Sequence, residues 1–286
     1  MWMIAPAPFG LLEFTGPERN DFLQRMLSND MRLSPGQATS AYYLNVQGRP
    51  VAQFWVFQDL DSTYLICPRD LSASSLEELD RMHFGEKLRM ADLSQEYTAS
   101  LLLGPERHDW LQRYFGQVAP GPWAFQRLTT GLLCRFPWAA SGSDLLLTRQ
   151  PLDLEADLAP PERFLEERIR AGRAWPSDWG EKTLFLEVAE DHDYLDGKGC
   201  YPGQEVVART LHRGHINRHL ACLRCPDSTP QKDCRLLHND KEVGWICASH
   251  QQAALAYLRR EVWQPGTQLQ RSDGGSATVV APERNP

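Results

Sequence analysis

The sequence contains no apolar run long enough to cross a membrane as a helix. It has no repeat of solenoid length and no low-complexity tract. Repeat arrays and compositionally biased, disordered chains are thereby excluded. Residues 1–9 hold no basic cluster, and two prolines interrupt their apolar residues. They do not read as a secretory signal. Basic charge is in deficit: 30 Lys and Arg against 37 Asp and Glu leave a net charge of −7. That balance disfavours a dedicated nucleic-acid binder, although a local basic patch is compatible with it. The seven cysteines are odd in number and irregularly spaced. Such a set is no disulfide framework in a chain of this length, and reduced thiols in a cytoplasm are expected.

What remains is an ordinary globular composition. The chain has 286 residues, 42% hydrophobic and 23% charged, which suits one large domain or two unequal ones. Nine Trp, eleven Phe and eight Tyr supply flat apolar surfaces for a core or for stacking on a ligand.

Local signals alternate between helix and strand. Thr15 and Glu18 form a T-x-x-E capping box with Pro17 in the first turn, so a helix is predicted from Thr15. Ala41–Leu44, Val51–Phe57 and Thr63–Cys67 read as strands. Helices are predicted over Ser72–Met90, Pro105–Phe115 and Pro161–Ala171, with Gly116 and Gly172 closing the last two. Leu128–Arg135 and Asp144–Arg149 read as strands. Pro202–Leu211 reads as a short helix stopped by Gly214. Beyond Asn217, short strands (His219–Arg224, Val243–Ala248, Ala253–Arg259 and Ala277–Val280) alternate with turns, the pattern of a small β-barrel. The expected domains are 1–216 and 217–286.

The stretch Asp196–Arg209, D-G-K-G-C-Y-P-G-Q-E-V-V-A-R, concentrates chemistry. Cys200 precedes a Pro-started helix and lies two residues from Lys198, and both features favour a thiolate. Gly199 and Gly203 allow unusual backbone angles or close approach to a ligand. Gln204 and Glu205 suit hydrogen bonds to helix-start amides or to a ligand. Arg209 lies one turn past Glu205, where the two can pair. The competing reading is a tight turn with a buried, inert cysteine.

K-G-C-Y-P-G-Q-E-V-V-A-R, Lys198–Arg209, resembles the signature of the YgfZ family, folate-binding relatives of the glycine cleavage T-protein (aminomethyltransferase). Further resemblance lies in F-T-G-P-E-R-N-D-F-L-Q-R-M-L-S-N-D (Phe14–Asp30), L-S-P-G-Q (Leu33–Gln37), L-N-V-Q-G-R (Leu44–Arg49), R-I-R-A-G (Arg168–Gly172) and K-E-V-G-W-I (Lys241–Ile246). It implies an α+β fold: a T-protein-like body of antiparallel sheets and helices around a central opening, then a small C-terminal β-barrel. It also implies tetrahydrofolate or another reduced folate as cofactor. Iron–sulfur enzymes or their assembly factors are the implied partners, with an association to tRNA modification. Cys200 and Lys198 become the expected catalytic pair, with Gly199, Tyr201, Gly203, Gln204, Glu205 and Arg209 as motif residues. Phe9 and Phe164 match candidate pterin contacts, and both equally suit a core.

Two departures separate the chain from the transferase. The T-protein's acidic pair is replaced by Ala52 and Gln53, neither of which can act as a carboxylate base. Its pterin-gripping Glu has no match near Phe136–Asp144. The family's E-A-G reads Arg170-Ala171-Gly172. Three readings stand: a folate-binding accessory protein for iron–sulfur enzymes, a folate-dependent one-carbon transferase, and a scaffold with no ligand. Turnover stays open.

Two other patterns compete. Cys222-Leu223-Arg224-Cys225, with Cys234 and Cys247, has metal-ligand spacing. Residues three apart on a strand face opposite sides, however, so no metal is expected there. Arg209, His212, Arg213, His215, Arg218 and His219 form a basic stretch. It reads as an anion surface or as solvated charge.

Overall fold

A computed structural model describes residues 2–116, 121–136, 138–150 and 157–284. Its elements run β1 (Trp2–Ile4), β2 (Phe9–Thr15), α1 (Arg19–Met26), β3 (Ala38–Leu44), β4 (Pro50–Gln58), β5 (Ser62–Pro68), α2 (Ser72–Asp80), β6 (Arg89–Asp92) and β7 (Thr98–Leu103). There follow α3 (Arg107–Phe115), β8 (Ala124–Arg127), β9 (Gly131–Arg135), β10 (Ser143–Thr148), β11 (Asp157–Leu158), α4 (Glu162–Arg170), α5 (Phe185–Val188) and α6 (Gln204–Arg213). The remaining strands are β12 (Arg218–Arg224), β13 (Arg235–His238), β14 (Lys241–His250), β15 (Ala253–Arg259), β16 (Gln268–Arg271) and β17 (Ser276–Val280).

Contacts gather the chain into two units that interleave in sequence. One holds Met1–Phe136, Ser143–Ala159 and Ala189–Ala208; the other holds Pro137–Gly142, Pro160–Val188 and Arg209–Pro286.

The first unit carries two sheets. A five-stranded antiparallel sheet runs β3-β4-β5-β2-β6. Its core joins Leu12 and Phe14 of β2 to Phe22, Leu23 and Met26 of α1. Those helix residues fall three or four apart, so one face of α1 covers the sheet. A six-stranded sheet runs β11-β1-β7-β10-β9-β8. It is antiparallel except where β1 meets β11. Behind it, Asp144 is fully buried between Arg107, 3.0 Å away, and Arg135, 2.7 Å away. The two guanidiniums compensate a carboxylate that could not stand alone there.

The second unit contains a closed barrel, β12-β15-β14-β13-β16-β17. Alternating residues such as Ala254, Ala256 and Leu258 fill its interior. In α4, buried Arg168 donates two hydrogen bonds to Asp178, 2.6 and 3.1 Å long. Arg170, where the family pattern has an acid, pairs with Glu283. The fold is therefore α+β, with antiparallel sheets, helices and a small barrel, as the sequence implied.

Three local expectations change. Thr15 does not cap a helix: it ends β2, paired with Ser62 and Arg89. The helix starts only at Arg19, and Glu18 instead accepts the Lys87 backbone N–H. The helix expected over Ser72–Met90 ends at Asp80, and Arg89–Asp92 becomes strand β6, with Arg89 and Met90 paired to Thr15 and Phe14. An open sheet edge outweighs local helix propensity there. Leu128–Arg135 splits into a turn and β9, and β8 precedes it.

Candidate functional site

The loop that carries Cys200 is held by two glycines and a lysine. Gly203 has φ +78°, a region that favours glycine. A Cβ there would lie 2.5 Å from the Asn45 carbonyl oxygen and 3.0 Å from the Gly48 Cα. Gly48, in the turn between β3 and β4, would in turn press a Cβ to 2.8 Å from Val206. Only two facing glycines let the start of α6 sit on that turn. Asn45 braces the turn by accepting the N–H groups of Gln47 and Arg49, at 3.0 and 3.1 Å.

Lys198 points inward. It is 7% exposed, donates to the Gln24 backbone carbonyl, and lies 5.0 Å from the centroid of the Tyr201 ring. The Gln24 side chain answers by donating to the Lys198 carbonyl at 3.1 Å and accepting the Met31 N–H at 2.7 Å. Burial pushes the Lys198 ammonium down to about 8, against a pull upward from Asp30. Asp30 itself is held below the usual carboxylate range by its hydrogen bond from Arg32.

A second network anchors the segment that enters this loop. Ser28 donates to the Asp193 carbonyl at 2.6 Å, and the Leu195 N–H donates to Ser28. The Asn29 amide donates to the His192 carbonyl at 2.7 Å. The buried Asp193 carboxylate accepts from the Ser40 hydroxyl and from the Glu190 N–H. Burial raises its pKa, opposed by His192 beside it. Sequence reasoning did not single out Gln24, Ser28, Asn29 or Asp193. The signal was the Ser28-Asn29-Asp30 run, whose side chains bond backbone groups rather than continue a helix.

Cys200 is exposed; the other six cysteines are buried. Burial raises the thiols of Cys67, Cys134, Cys225 and Cys247. Cys200 lies in the loop before α6, beyond Gly199, whose φ is +114°. Gln204 opens α6, its N–H donating to the Tyr201 carbonyl at 3.3 Å. Glu205 and Arg209 share a side of α6 but form no ion pair, which corrects the expected pairing.

Phe9 is 1% exposed in β2, edge-to-face with Trp55. Phe164 is 6% exposed in α4, edge-to-face with Trp175. The two belong to different units. Ala52 and Gln53 lie in β4, both buried, and the Gln53 side-chain oxygen finds no hydrogen-bond partner. Cys222 lies within β12, its thiol 3.5 Å from the Ile169 carbonyl, and Cys225 follows the strand end. Among the described residues, no group of three or more His, Cys, Asp or Glu side chains is placed to hold a metal. In the basic stretch, Arg209, His212, Arg213 and His215 are exposed, while Arg218 bonds Glu187.

No protein-family model matches the chain. It is 28% identical over 233 residues to the tRNA-modifying protein YgfZ of Photorhabdus laumondii, covering 76% of this chain and 68% of that protein. Similarity to YgfZ proteins extends over most of the chain, with 28% identity over 246 residues to the YgfZ of Sodalis glossinidius as well. A mitochondrial iron–sulfur cluster assembly factor IBA57 homolog of Mycosarcoma maydis is 24% identical over 246 residues, covering 78% of this chain and 57% of that protein. The fold matches glycine cleavage aminomethyltransferase T of Bartonella henselae with a TM-score of 0.83, 16% identity, and 98% and 85% coverage of the two chains. At that identity the likeness concerns the fold alone. No helix of the described residues is long and apolar enough to cross a membrane.

Proposed function

We propose that the chain is a folate-binding accessory protein for the assembly, repair or maintenance of iron–sulfur enzymes, with Cys200 as its reactive group. One observation carries this reading: the single exposed thiol among the seven cysteines is the one beside a buried, hydrogen-bonded lysine. A thiol must be reachable to react, and only Cys200 among the seven is. Lys198 is fixed from both sides by Gln24. Gly199 and Gly203 set the loop, and Tyr201 covers the lysine. Gln204 acts through hydrogen bonding, and Glu205 and Arg209 act as surface groups of α6. Residues 1–216 are the proposed folate-binding body.

The relatives' names support the iron–sulfur and tRNA-modification association, and the transferase fold supports a folate. A pterin offers ring N–H donors to an acceptor. The orphaned, buried Gln53 oxygen is an acceptor that fits this demand. Phe9 and Phe164 are secondary candidates, because burial leaves little ring surface for stacking. The pterin, when bound, would supply one-carbon chemistry. Gln53 cannot take up a proton as a carboxylate would, which weighs against aminomethyl transfer.

Calorimetric titration with tetrahydrofolate tests the ligand. Binding, with stabilisation of about 2.7 kcal/mol at 100 times the dissociation constant, is expected. An unshifted melting temperature at saturating folate rejects it. An aminomethyl-transfer assay is expected to read background.

A further inference from the structure

We infer that the second unit carries a separate binding site for a planar heteroaromatic ring bearing an anionic group, in a cavity between the barrel and residues 177–183. This inference does not depend on the folate reading. The cavity has a volume of about 290 Å³, with Trp179, Trp245, Tyr257, Arg218, Lys182 and Lys232 in its lining. That volume suits one ring system with a small appended group.

Its inner wall is built from flat groups. Trp245 of β14 and Tyr257 of β15 are direct cross-strand partners. Their rings stack at 5.2 Å and 30°. The Arg218 guanidinium lies 4.9 Å from the Trp245 ring centroid. Glu187 holds that guanidinium with two hydrogen bonds, 2.9 and 3.2 Å long. Pinned aromatic walls favour flat ligands over globular ones.

Charge in the lining is divided between groups paired to opposite charges and exposed lysines. Arg218 is balanced by Glu187, and Asp178 by Arg168, so these charges cancel. The exposed charged residues of the described lining are Lys182 and Lys232 against Asp233. Lys232 is oriented by the Ser177 carbonyl at 2.8 Å rather than by an acid. A surplus ammonium at an aromatic cavity suits a phosphate or carboxylate on the ligand.

Tyr257 adds an unmet demand. The residue is 1% exposed, and its hydroxyl has no hydrogen-bond partner of ordinary geometry, with Thr183 as its polar neighbour. A buried hydroxyl normally finds an acceptor. A ring nitrogen or carbonyl on the ligand supplies one.

The test is calorimetry on the full chain with four probes: adenosine 5′-monophosphate, orotate, adenosine and inorganic phosphate. Nucleotide or orotate should bind at least about tenfold tighter than adenosine or phosphate, the scale of one charge-assisted contact. Binding of the nucleotide assigns the anion as phosphate, binding of orotate as carboxylate, and either supports the site. The Lys182→Ala, Lys232→Ala double variant alters only exposed side chains and should weaken binding at least fivefold. Tyr257→Phe should weaken it severalfold, with the melting temperature as a folding control. Four results would each overturn the inference. They are no binding of either ring anion at millimolar concentration, affinity unchanged in both variants, adenosine or phosphate binding as tightly, and competitive displacement by tetrahydrofolate, which would merge the two sites.

Discussion

Two cysteine segments of this chain invite comparison, K-G-C-Y at Lys198–Tyr201 and C-L-R-C at Cys222–Cys225. The second has the better metal-like spacing, yet both of its thiols are buried, and Cys222 is locked in a strand against Leu255 and Val280. The first has one cysteine, exposed, in a loop shaped by glycines with positive φ. The difference teaches that a thiol's chemistry follows its exposure and its charged neighbours rather than the spacing of cysteines.

The largest effect that would break this comparison is in labelling. Brief iodoacetamide treatment of the native protein, read by mass spectrometry, should modify Cys200 at least about a hundredfold faster than Cys222 or Cys225, since buried thiols are inert until the chain opens. Comparable rates at the three positions would erase the distinction.

Backbone geometry gives the next effect. Gly203→Ala combines a positive φ with contacts to fixed backbone atoms. It should cost about 2–4 kcal/mol in thermal or denaturant unfolding. Gly199→Ala meets no atom within 4 Å and carries only the strain of its φ. Its cost should be about 1–2 kcal/mol. Equal costs would show that the contact between Gly203 and Gly48 does not hold the loop.

Lys198 sharpens the comparison through pH. Its folded pKa, about 8, lies below its usual 10.5. The unfolded chain therefore binds more protons between those values, and stability should rise with pH across that window. Equivalently, the contribution is full above 10.5 and is lost as pH falls through 8. Lys198→Met should flatten this rise by on the order of 1–3 kcal/mol. An identical pH profile in wild type and variant would place the ammonium in water.

Much of this was legible in the sequence. The strand pattern found four of the six barrel strands and missed β13 and β16, Gly116 closed α3 at φ +63°, and the K-G-C-Y run lies in a loop before α6. Long-range choices were not legible. Thr15 joined a sheet because β5 and β6 offered it partners, and Arg89 because β2 did, and no local pattern reports that. The Gln24 clamp on Lys198 spans residues far apart in sequence. The expected Glu205–Arg209 pair illustrates the converse: correct helical spacing permits an ion pair on an exposed face but contributes too little to enforce one.

The most direct measurement of the central claim is complementation. Cells lacking the endogenous protein would receive the wild type, Cys200→Ser, or the Cys222→Ser, Cys225→Ser double variant at matched protein levels, with the activity of an iron–sulfur enzyme as readout. The account predicts background activity with Cys200→Ser and near-wild-type activity with the double variant. Full rescue by Cys200→Ser would contradict it.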